Sequence, residues 1–315
     1  MKTAFVFPGQ GSQSIGMGQD LYNNSSAARL VFEEVDDALN EKLSHLMFSG
    51  DAAELTKTEN AQPAIMAVSM AAVRALEAEL GHSLTDVASC TAGHSLGEYT
   101  ALCAAGALSI ADTARLLRAR GQAMAEAAAK APGAMAAVLG LSMEQVHDIV
   151  AQSSDNESQV VVANDNCPGQ VVISGHMTAL DKAIAAATAA GAKRALKLQV
   201  AGAFHSPYMQ EAADKMQAIL ANLSIQKTRI PVVANVTADF VTEPDEIKRH
   251  LVEQVTGSVR WTESTAFMTN FGIDTFIECG NGKVIAGLVK RMAPTATILS
   301  VGDTTSVSSA LELFK

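Results

Sequence analysis

A Gly-x-Ser-x-Gly segment, Gly93-His94-Ser95-Leu96-Gly97, follows the apolar segment Val87–Ala92, which is predicted to be a buried strand, and precedes a predicted helix of small residues. Glycines on both sides of the serine remove side chains that would clash in a sharp strand-to-helix turn, so the pattern is typical of such a turn. The turn lifts the hydroxyl off the sheet, and the following helix directs N–H groups towards developing negative charge. The segment predicts an α/β fold with Ser95 as a nucleophile. A glycine-rich turn with a capping serine is the alternative.

The order of predicted elements divides the chain into two parts. Strand–helix alternation begins at Thr3–Phe7 and resumes after residue 200, whereas the middle of the chain has the order βαββαβ and ends in a strand at Arg194–Val200. That order is the ferredoxin-like signature, and about 70 residues is a suitable size for such a unit. We therefore predict a large α/β domain, formed by residues 1–130 and 200–315, with a ferredoxin-like subdomain inserted at residues 131–199.

Composition and charge exclude several classes of protein. The 315 residues include 33 acidic and 23 basic side chains, which gives a net charge of −10, and only 4% are aromatic. Binding to nucleic acid needs basic and aromatic surface, so it is not expected. The four cysteines lack metal-site spacing, and the apolar runs are too short for a membrane span or a signal peptide. We predict a cytoplasmic protein with reduced cysteines, no metal, and neither membrane nor nucleic acid as a partner.

A serine nucleophile needs a base, and the chain has seven histidines. His94 adjoins the serine in a sharp turn, which favours a hydrogen bond that holds the turn. His205 follows a strand and precedes Pro207, so it is predicted to lie at the carboxyl end of the sheet, where α/β proteins place their sites. We infer that His205 is the base; a helix-capping loop histidine is the alternative. The other five lie in polar segments and are predicted to be solvated: His45, His82, His147, His176 and His250.

Six short segments follow one another along almost the whole chain: Phe7-Pro8-Gly9-Gln10-Gly11-Ser12-Gln13, Gly93-His94-Ser95-Leu96-Gly97-Glu98, Arg120-Gly121-Gln122-Ala123-Met124, Gly133-Ala134-Met135-Ala136-Ala137-Val138, Phe204-His205-Ser206 and Glu278-Cys279-Gly280. In this order they resemble the malonyl-CoA:acyl carrier protein transacylase family. The resemblance implies a hydrolase-like core with a parallel sheet and a ferredoxin-like insert, in agreement with the predicted element order. It also implies transfer of malonyl from malonyl-CoA to the phosphopantetheine thiol of acyl carrier protein in fatty-acid biosynthesis, through a malonyl-serine intermediate and with no cofactor.

The resemblance assigns roles residue by residue. Ser95 matches the nucleophile, and His205 matches the general base. The backbone N–H groups of Gln10 and Leu96 match the oxyanion hole. Gln254 matches the position whose main-chain carbonyl orients the imidazole, and a neutral group of this kind stabilises an imidazolium less than a carboxylate would.

Arg120 matches the residue that binds the carboxylate of the substrate. On a helical projection it flanks an apolar face that includes Leu117 and Met124, so its side chain can reach a pocket. Its planar guanidinium suits bidentate binding of a carboxylate, which malonyl has and acetyl lacks. His94, Met124 and Phe204 are expected to line the same pocket, and Phe204 resembles the residue type of malonyl-selective members. A surface arginine that lies along Leu116 or Leu117 is the alternative.

The carrier protein is acidic throughout this pathway, so an acidic enzyme needs a local basic surface to bind it. Two basic groups are candidates for this surface, with ordinary solvated lysines and arginines as the alternative: Lys193, Arg194 and Lys197 in the insert, and Lys283, Lys290 and Arg291 near the end of the chain. Asn281 departs from the family, since a proline is common at its position. We expect a monomer.

Three other functions remain open. A serine esterase, thioesterase or lipase would share the Gly-x-Ser-x-Gly segment, but no acidic residue precedes His205 in an obvious triad context. A carrier-binding scaffold with a degenerate site is disfavoured because Ser95, His205 and Arg120 are all present. A trans-acting acyltransferase of a polyketide or malonate decarboxylase system would belong to the same family.

Overall fold

The computed structural model describes residues 2–314. The strands are β1 (Thr3–Phe7), β2 (Cys90–Gly93), β3 (Gly133–Leu139), β4 (Val160–Cys167), β5 (Gln170–His176), β6 (Arg194–Lys197), β7 (Val232–Val233), β8 (Phe240–Val241), β9 (Val259–Arg260), β10 (Thr275–Cys279) and β11 (Thr297–Val301). The helices are α1 (Gln19–Asn24), α2 (Ser26–Leu39), α3 (Leu43–Ser49), α4 (Ala52–Thr56), α5 (Thr58–Leu80), α6 (Leu84–Val87), α7 (Leu96–Ala104), α8 (Ile110–Lys130), α9 (Met143–Ser153), α10 (Met177–Ala189), α11 (Gln210–Ala221), α12 (Pro244–Thr256), α13 (Trp261–Asn270), α14 (Val284–Met292) and α15 (Thr304–Leu311).

The larger sheet has the strand order β11-β10-β1-β2-β7-β8 and is parallel except for β8. Its central strand β1 is buried along its whole length. Side chains alternate between the faces of a strand, so Phe5 packs in the core on one face while Val6 belongs to a second hydrophobic cluster on the other, which includes Trp261 and Val289. Burial on both faces requires helices on both sides of the sheet. This three-layer arrangement confirms the predicted parallel α/β core.

The smaller sheet has the order β6-β3-β5-β4-β9. Its first four strands pair antiparallel in the ferredoxin-like arrangement, with α9 and α10 packed on one face. Met135 and Val172 lie on the opposite face and pack against the large core. The predicted βαββαβ insert is therefore confirmed as part of the fold class, and the division at residues 131 and 199 stays a prediction. The strand β9, from outside that range, pairs parallel with β4.

Some local predictions are wrong. The strand predicted at Val87–Ala92 begins only at Cys90, because a capping box between Ser83 and Asp86 starts the short helix α6 before it. The strand predicted to reach Val200 ends at Lys197. The next three residues leave the sheet and line the cavity next to the serine turn.

Histidine 250 was predicted to be solvated, but it is buried. His250 lies on α12 one turn from Ile247 and Gln254, and all three share its buried face. The helical spacing of His250 relative to Ile247 and Gln254 therefore indicates its burial better than the polar residues next to it in the sequence. Among residues 2–314, no helix combines the length and the apolar character needed to cross a membrane.

The turn between β2 and α7 brings backbone segments into very close contact. A Cβ atom added at Gly93 would lie 1.9 Å from the Gly97 carbonyl oxygen. One added at Gly97 would lie 2.5 Å from the Phe7 carbonyl oxygen of the neighbouring strand. Since the clashing atoms are backbone, no side-chain rotation relieves them. The spacing of the two glycines is thus a packing requirement of the turn and of its contact with β1.

We expect Gly93→Ala to lower the free energy of unfolding by about 2 kcal/mol or more, the scale of overpacking in a buried site. Urea denaturation followed by circular dichroism measures the change. The matched control is Gly287→Ala, because an added Cβ on this exposed α14 glycine meets nothing within 4 Å. The control should leave stability unchanged or raise it by up to about 1 kcal/mol. Equal stability of both variants would contradict the proposed packing requirement.

Candidate active site

The turn after β2 holds Ser95 in a strained conformation, with φ 53° and ψ −110°. The side chain of Asn235, just beyond β7, fixes this turn from the neighbouring strand. Its Oδ1 accepts from the Ser95 N–H at 2.8 Å, and its Nδ2 donates to the Gly93 carbonyl at 2.7 Å. Because both amide ends are used, the serine hydroxyl is presented at the carboxyl edge of the sheet in one orientation.

His205 lies next to this serine. Its Nε2 is 2.8 Å from Ser95 Oγ, although 110 positions separate the two residues in sequence. Its Nδ1 is 2.9 Å from the Gln254 carbonyl oxygen and 3.1 Å from that of Gly257. Carbonyl oxygens only accept, so Nδ1 carries the proton and Nε2 is left to accept from the serine hydroxyl. The arrangement is a serine–histidine dyad whose imidazole is oriented by main-chain carbonyls.

The imidazole of His205 is almost fully buried, with 4% of the residue exposed. Burial, and then the nearby charge of Arg120, lower the pKa of His205 to about 3. The ring is therefore neutral and able to accept a proton across the physiological pH range.

Arg120 occupies the same site from helix α8 and is only 1% exposed. Its Nη2 donates to Ser95 Oγ at 3.1 Å and to Gln254 Oε1 at 2.9 Å, while its Nη1 donates to Gln62 Oε1 at 2.8 Å. Tyr99 packs with its ring centroid 5.4 Å from the guanidinium carbon. Burial lowers the pKa of Arg120, but an arginine side chain stays charged in proteins. The prediction that Arg120 reaches a pocket agrees with this geometry.

These groups open into a cavity of about 360 Å³ between the large core and the insert. The predicted pocket residues His94, Met124 and Phe204 all line it. The turn residue His94 also joins the two parts of the molecule, since its Nε2 lies 2.8 Å from Oδ1 of Asn166 in the insert. The side-chain hydrogen bond of His94 therefore connects the serine turn to the insert.

The two predicted oxyanion donors both have a free N–H group. Within residues 2–314, the N–H groups of Gln10 and Leu96 form no hydrogen bond, whereas the N–H groups of Ser95, Gly97 and Glu98 all do. Gln10 lines the cavity, and Leu96 begins α7 directly after the serine. Free N–H groups at a helix start are ready to bind a negatively charged oxygen. Their role as an oxyanion hole stays a prediction.

Three buried polar residues of the site were missed by sequence reasoning: Gln62, Glu98 and Asn235. Glu98 directly follows the Gly-x-Ser-x-Gly segment, and Asn235 follows a strand at the active edge of the sheet, so position along the chain was an available signal for both. Gln62 carries no such signal, because only tertiary packing of α5 against α8 brings it to Arg120. Within the described part of the chain, no group of three or more His, Cys, Asp or Glu side chains is placed to bind a metal ion.

Comparison with known proteins is consistent with this geometry. Residues 4–293 match the acyl transferase domain family. The chain is 45% identical over 314 residues to a malonyl CoA-acyl carrier protein transacylase of Bacillus subtilis, covering 100% of this chain and 98% of that protein. It is similar to the crystal structure of an acyl-carrier-protein S-malonyltransferase from Bartonella henselae, with 47% identity, a TM-score of 0.96 and 99% coverage of each chain. A malonyl-transacylase solved in complex with a type II PKS acyl-carrier protein has 39% identity and a TM-score of 0.94, with 99% of this chain and 100% of that chain covered.

The depressed pKa of His205 makes stability depend on pH. Below pH 6.5 the unfolded chain takes up a proton at His205 that the folded protein excludes down to a pH of about 3. Stability is therefore lost as the pH falls through this window, by about 1 kcal/mol per pH unit. We expect His205→Gln to remove that contribution, so that its free energy of unfolding falls less steeply between pH 6.5 and 4.5 than that of the wild type.

Urea titrations at several pH values measure both slopes. The matched control is His82→Gln, since the His82 side chain is exposed. Parallel slopes for the wild type and His205→Gln would show that the buried imidazole is not held neutral by the fold.

Proposed function

The chain belongs to the acyl transferase domain family, and we propose that it transfers the malonyl group from malonyl-CoA to the phosphopantetheine thiol of acyl carrier protein. One observation carries the proposal. The oxygen of Ser95 lies within hydrogen-bond distance of both the His205 imidazole and the Arg120 guanidinium, inside one cavity. A nucleophile, a base and a buried cation thus meet where a short acyl group with a terminal carboxylate fits.

The first half-reaction forms an ester on Ser95. His205 Nε2 takes the hydroxyl proton as Ser95 Oγ attacks the thioester carbonyl of malonyl-CoA. The resulting oxyanion is held by the N–H groups of Gln10 and Leu96. When the intermediate collapses, the C–S bond breaks and the imidazolium returns its proton to the CoA thiolate, which leaves malonyl-serine. The carbonyls of Gln254 and Gly257 keep the ring in the required tautomer throughout.

Arg120 selects the acyl group. An incoming malonyl carboxylate replaces the contact between the Arg120 guanidinium and Ser95 Oγ, so binding the substrate frees the hydroxyl for attack. An acetyl group leaves the buried guanidinium without an anionic partner and is disfavoured. Phe204 borders the same cavity and limits its width.

The second half-reaction passes the malonyl group to the carrier thiol. The neutral His205 deprotonates the thiol, whose sulfur attacks the ester carbonyl, and the serine leaves with the proton. Water must be excluded from the ester for transfer to exceed hydrolysis. An esterase or thioesterase is less well supported, because both acceptors of His205 Nδ1 are main-chain carbonyls, whereas ordinary α/β-hydrolases use a carboxylate. We assign the reaction to fatty-acid biosynthesis, with a polyketide or malonate decarboxylase carrier as the alternative acceptor.

The carrier protein is proposed to dock at the mouth of the cavity. Lys283 adjoins Val284, a cavity residue with 53% of its surface exposed, and the segment after Lys197 supplies Leu198 to the same lining. One member of each basic group is engaged: Lys197 forms an ion pair with Asp181, and Arg291 donates to the Pro168 carbonyl. The other four residues, Lys193, Arg194, Lys283 and Lys290, form no ion pair within residues 2–314. We favour Lys283 and Lys290 for electrostatic contact with an acidic carrier, because Lys283 directly precedes the cavity residue Val284 and Lys290 lies on the same helix α14 as that residue.

Incubation with malonyl-CoA should add one malonyl group to the protein, detected by intact mass, with one equivalent of CoA released in a burst. Ser95→Ala should show no adduct. Arg120→Ala should reduce kcat/KM for malonyl loading by at least about a hundredfold, the scale for losing a buried charged contact. Its loading with acetyl-CoA should change far less, so the preference for malonyl should collapse.

Wild-type protein loaded with acetyl-CoA is the control for the acyl group. Continuous CoA release without an added thiol acceptor would identify a hydrolase instead. Equal loading of the wild type by malonyl and acetyl would contradict the role proposed for Arg120.

Charge reversal at the cavity mouth tests the docking surface. The double variant Lys283→Glu/Lys290→Glu should raise the KM for acyl carrier protein by about tenfold or more at low salt, because long-range attraction becomes repulsion. Malonyl loading from malonyl-CoA serves as the internal measure of an intact site. Lys248→Glu on α12, outside the cavity lining, is the matched control. An unchanged carrier KM in the double variant would place docking elsewhere.

A further inference from the structure

A buried carboxylate lies behind the active site and takes no part in the proposed proton transfers. Glu98 is 1% exposed and lies in the first turn of α7. Its Oε2 accepts from the Asn235 N–H at 3.0 Å and from Gln254 Nε2 at 2.7 Å. Burial raises the pKa of Glu98 to about 7, while these two donors and the charge of Arg120 oppose that rise.

Arg120 is a buried cation that forms no ion pair with a carboxylate among residues 2–314. Its hydrogen-bond acceptors are all neutral oxygens, on Gln62, Ser95 and Gln254. An isolated charge in a dry site is strongly unfavourable, so a compensating negative charge is expected nearby.

The amide of Gln254 connects the two charges. Its Oε1 accepts from Arg120 Nη2 at 2.9 Å, and its Nε2 donates to Glu98 Oε2 at 2.7 Å and to the Ser95 carbonyl at 3.0 Å. Only this amide orientation is possible, because the reverse would place an NH₂ group against the guanidinium and an oxygen against the carboxylate. The amide dipole is therefore aligned between the cation and the anion, and Gln254 is completely buried.

We propose that Glu98 is the counter-charge of Arg120 and that the Gln254 side chain is a neutral bridge between them, so that these two positioning residues set the preference for an acyl group with a free carboxylate. A carboxylate in direct contact with Arg120 would hold the guanidinium but would also compete with the substrate. Placing the anion one amide away stabilises the buried cation and leaves it able to bind malonyl. This role of the Gln254 side chain is separate from that of its main-chain carbonyl, and it depends on the proposed malonyl transfer.

Two substitutions should act in opposite directions. Gln254→Glu keeps the backbone carbonyl for His205 but puts a carboxylate against Arg120, so the ratio of kcat/KM for malonyl over acetyl loading should fall at least about tenfold. Glu98→Gln can still accept both hydrogen bonds but lacks the charge. Its malonyl-to-acetyl ratio should be retained or rise, and malonyl loading should raise its Tm by more than in the wild type.

The readouts, taken at about pH 8 so that Glu98 is mostly ionised, are single-turnover loading with malonyl-CoA and acetyl-CoA, and thermal unfolding of the free, malonyl-loaded and acetyl-loaded proteins. Gln152→Glu and Glu79→Gln make the same chemical changes at exposed positions and serve as matched controls. If Glu98→Gln does not fold, the selectivity of Gln254→Glu decides alone. Acetyl loading of that variant reports a folded dyad, and its complete loss together with malonyl loading would count against the proposal.

If the Gln254 side chain had only a structural role, Gln254→Glu would lower malonyl and acetyl loading by the same factor. That result would overturn the proposal. A shift of the ratio in the same direction in both variants would also overturn it. Failure of the proposed malonyl transfer can be distinguished from failure of the proposal for Glu98 and Gln254, because it would appear in the wild type as the absence of a malonyl preference.

Discussion

The hydrogen bond between Ser95 and His205 depends on a neutral imidazole being maintained beside a buried guanidinium. A carboxylate partner on the ring would favour its protonation, whereas main-chain carbonyls orient the ring with only partial charges. The same positive charge that suits a malonyl carboxylate also disfavours a second cation on the histidine. In the proposed reaction, carboxylate recognition by Arg120 and proton transfer by His205 are coupled, because both side chains lie within hydrogen-bond distance of Ser95 Oγ. The neutral hydrogen-bond partners of Arg120 and His205 are consistent with both proposed roles.

The fold brings these groups together because several segments end at one edge of the sheet. The turn after β2 provides Ser95, the loop after β1 provides Gln10, and the segment after β7 provides Asn235. His205 comes from the chain as it returns from the insert. Arg120 and Gln62 come from helices α8 and α5, which pack against each other, and Gln254 comes from α12. The insert closes the remaining side and gives the cavity its depth.

Much of this arrangement is readable from the sequence, and the missing parts have physical reasons. A side chain at either glycine around Ser95 would clash with backbone, so the spacing of these glycines predicts the turn. The βαββαβ order predicts the topology of the insert. Arg120 could be placed at the edge of a buried face, but helical periodicity alone did not separate a pocket residue from a surface one. Two of the three missed residues, Gln62 and Asn235, are neutral amides. Their importance lies in which groups they join across 58 to 142 positions, and no local pattern encodes such pairs.

The short pairing of β9 with β4 has a consequence for how the two parts of the molecule can move. Residues 259–260 lie a few positions after Gln254 and Gly257, whose carbonyls orient the imidazole of His205, and they pair with β4 in the sheet of the insert. The same continuous stretch of backbone therefore orients the His205 imidazole and pairs with the sheet of the insert. A movement of the insert that widened the entrance of the cavity would therefore also displace the carbonyls that orient His205. The width of the entrance and the orientation of the His205 imidazole are linked in this way.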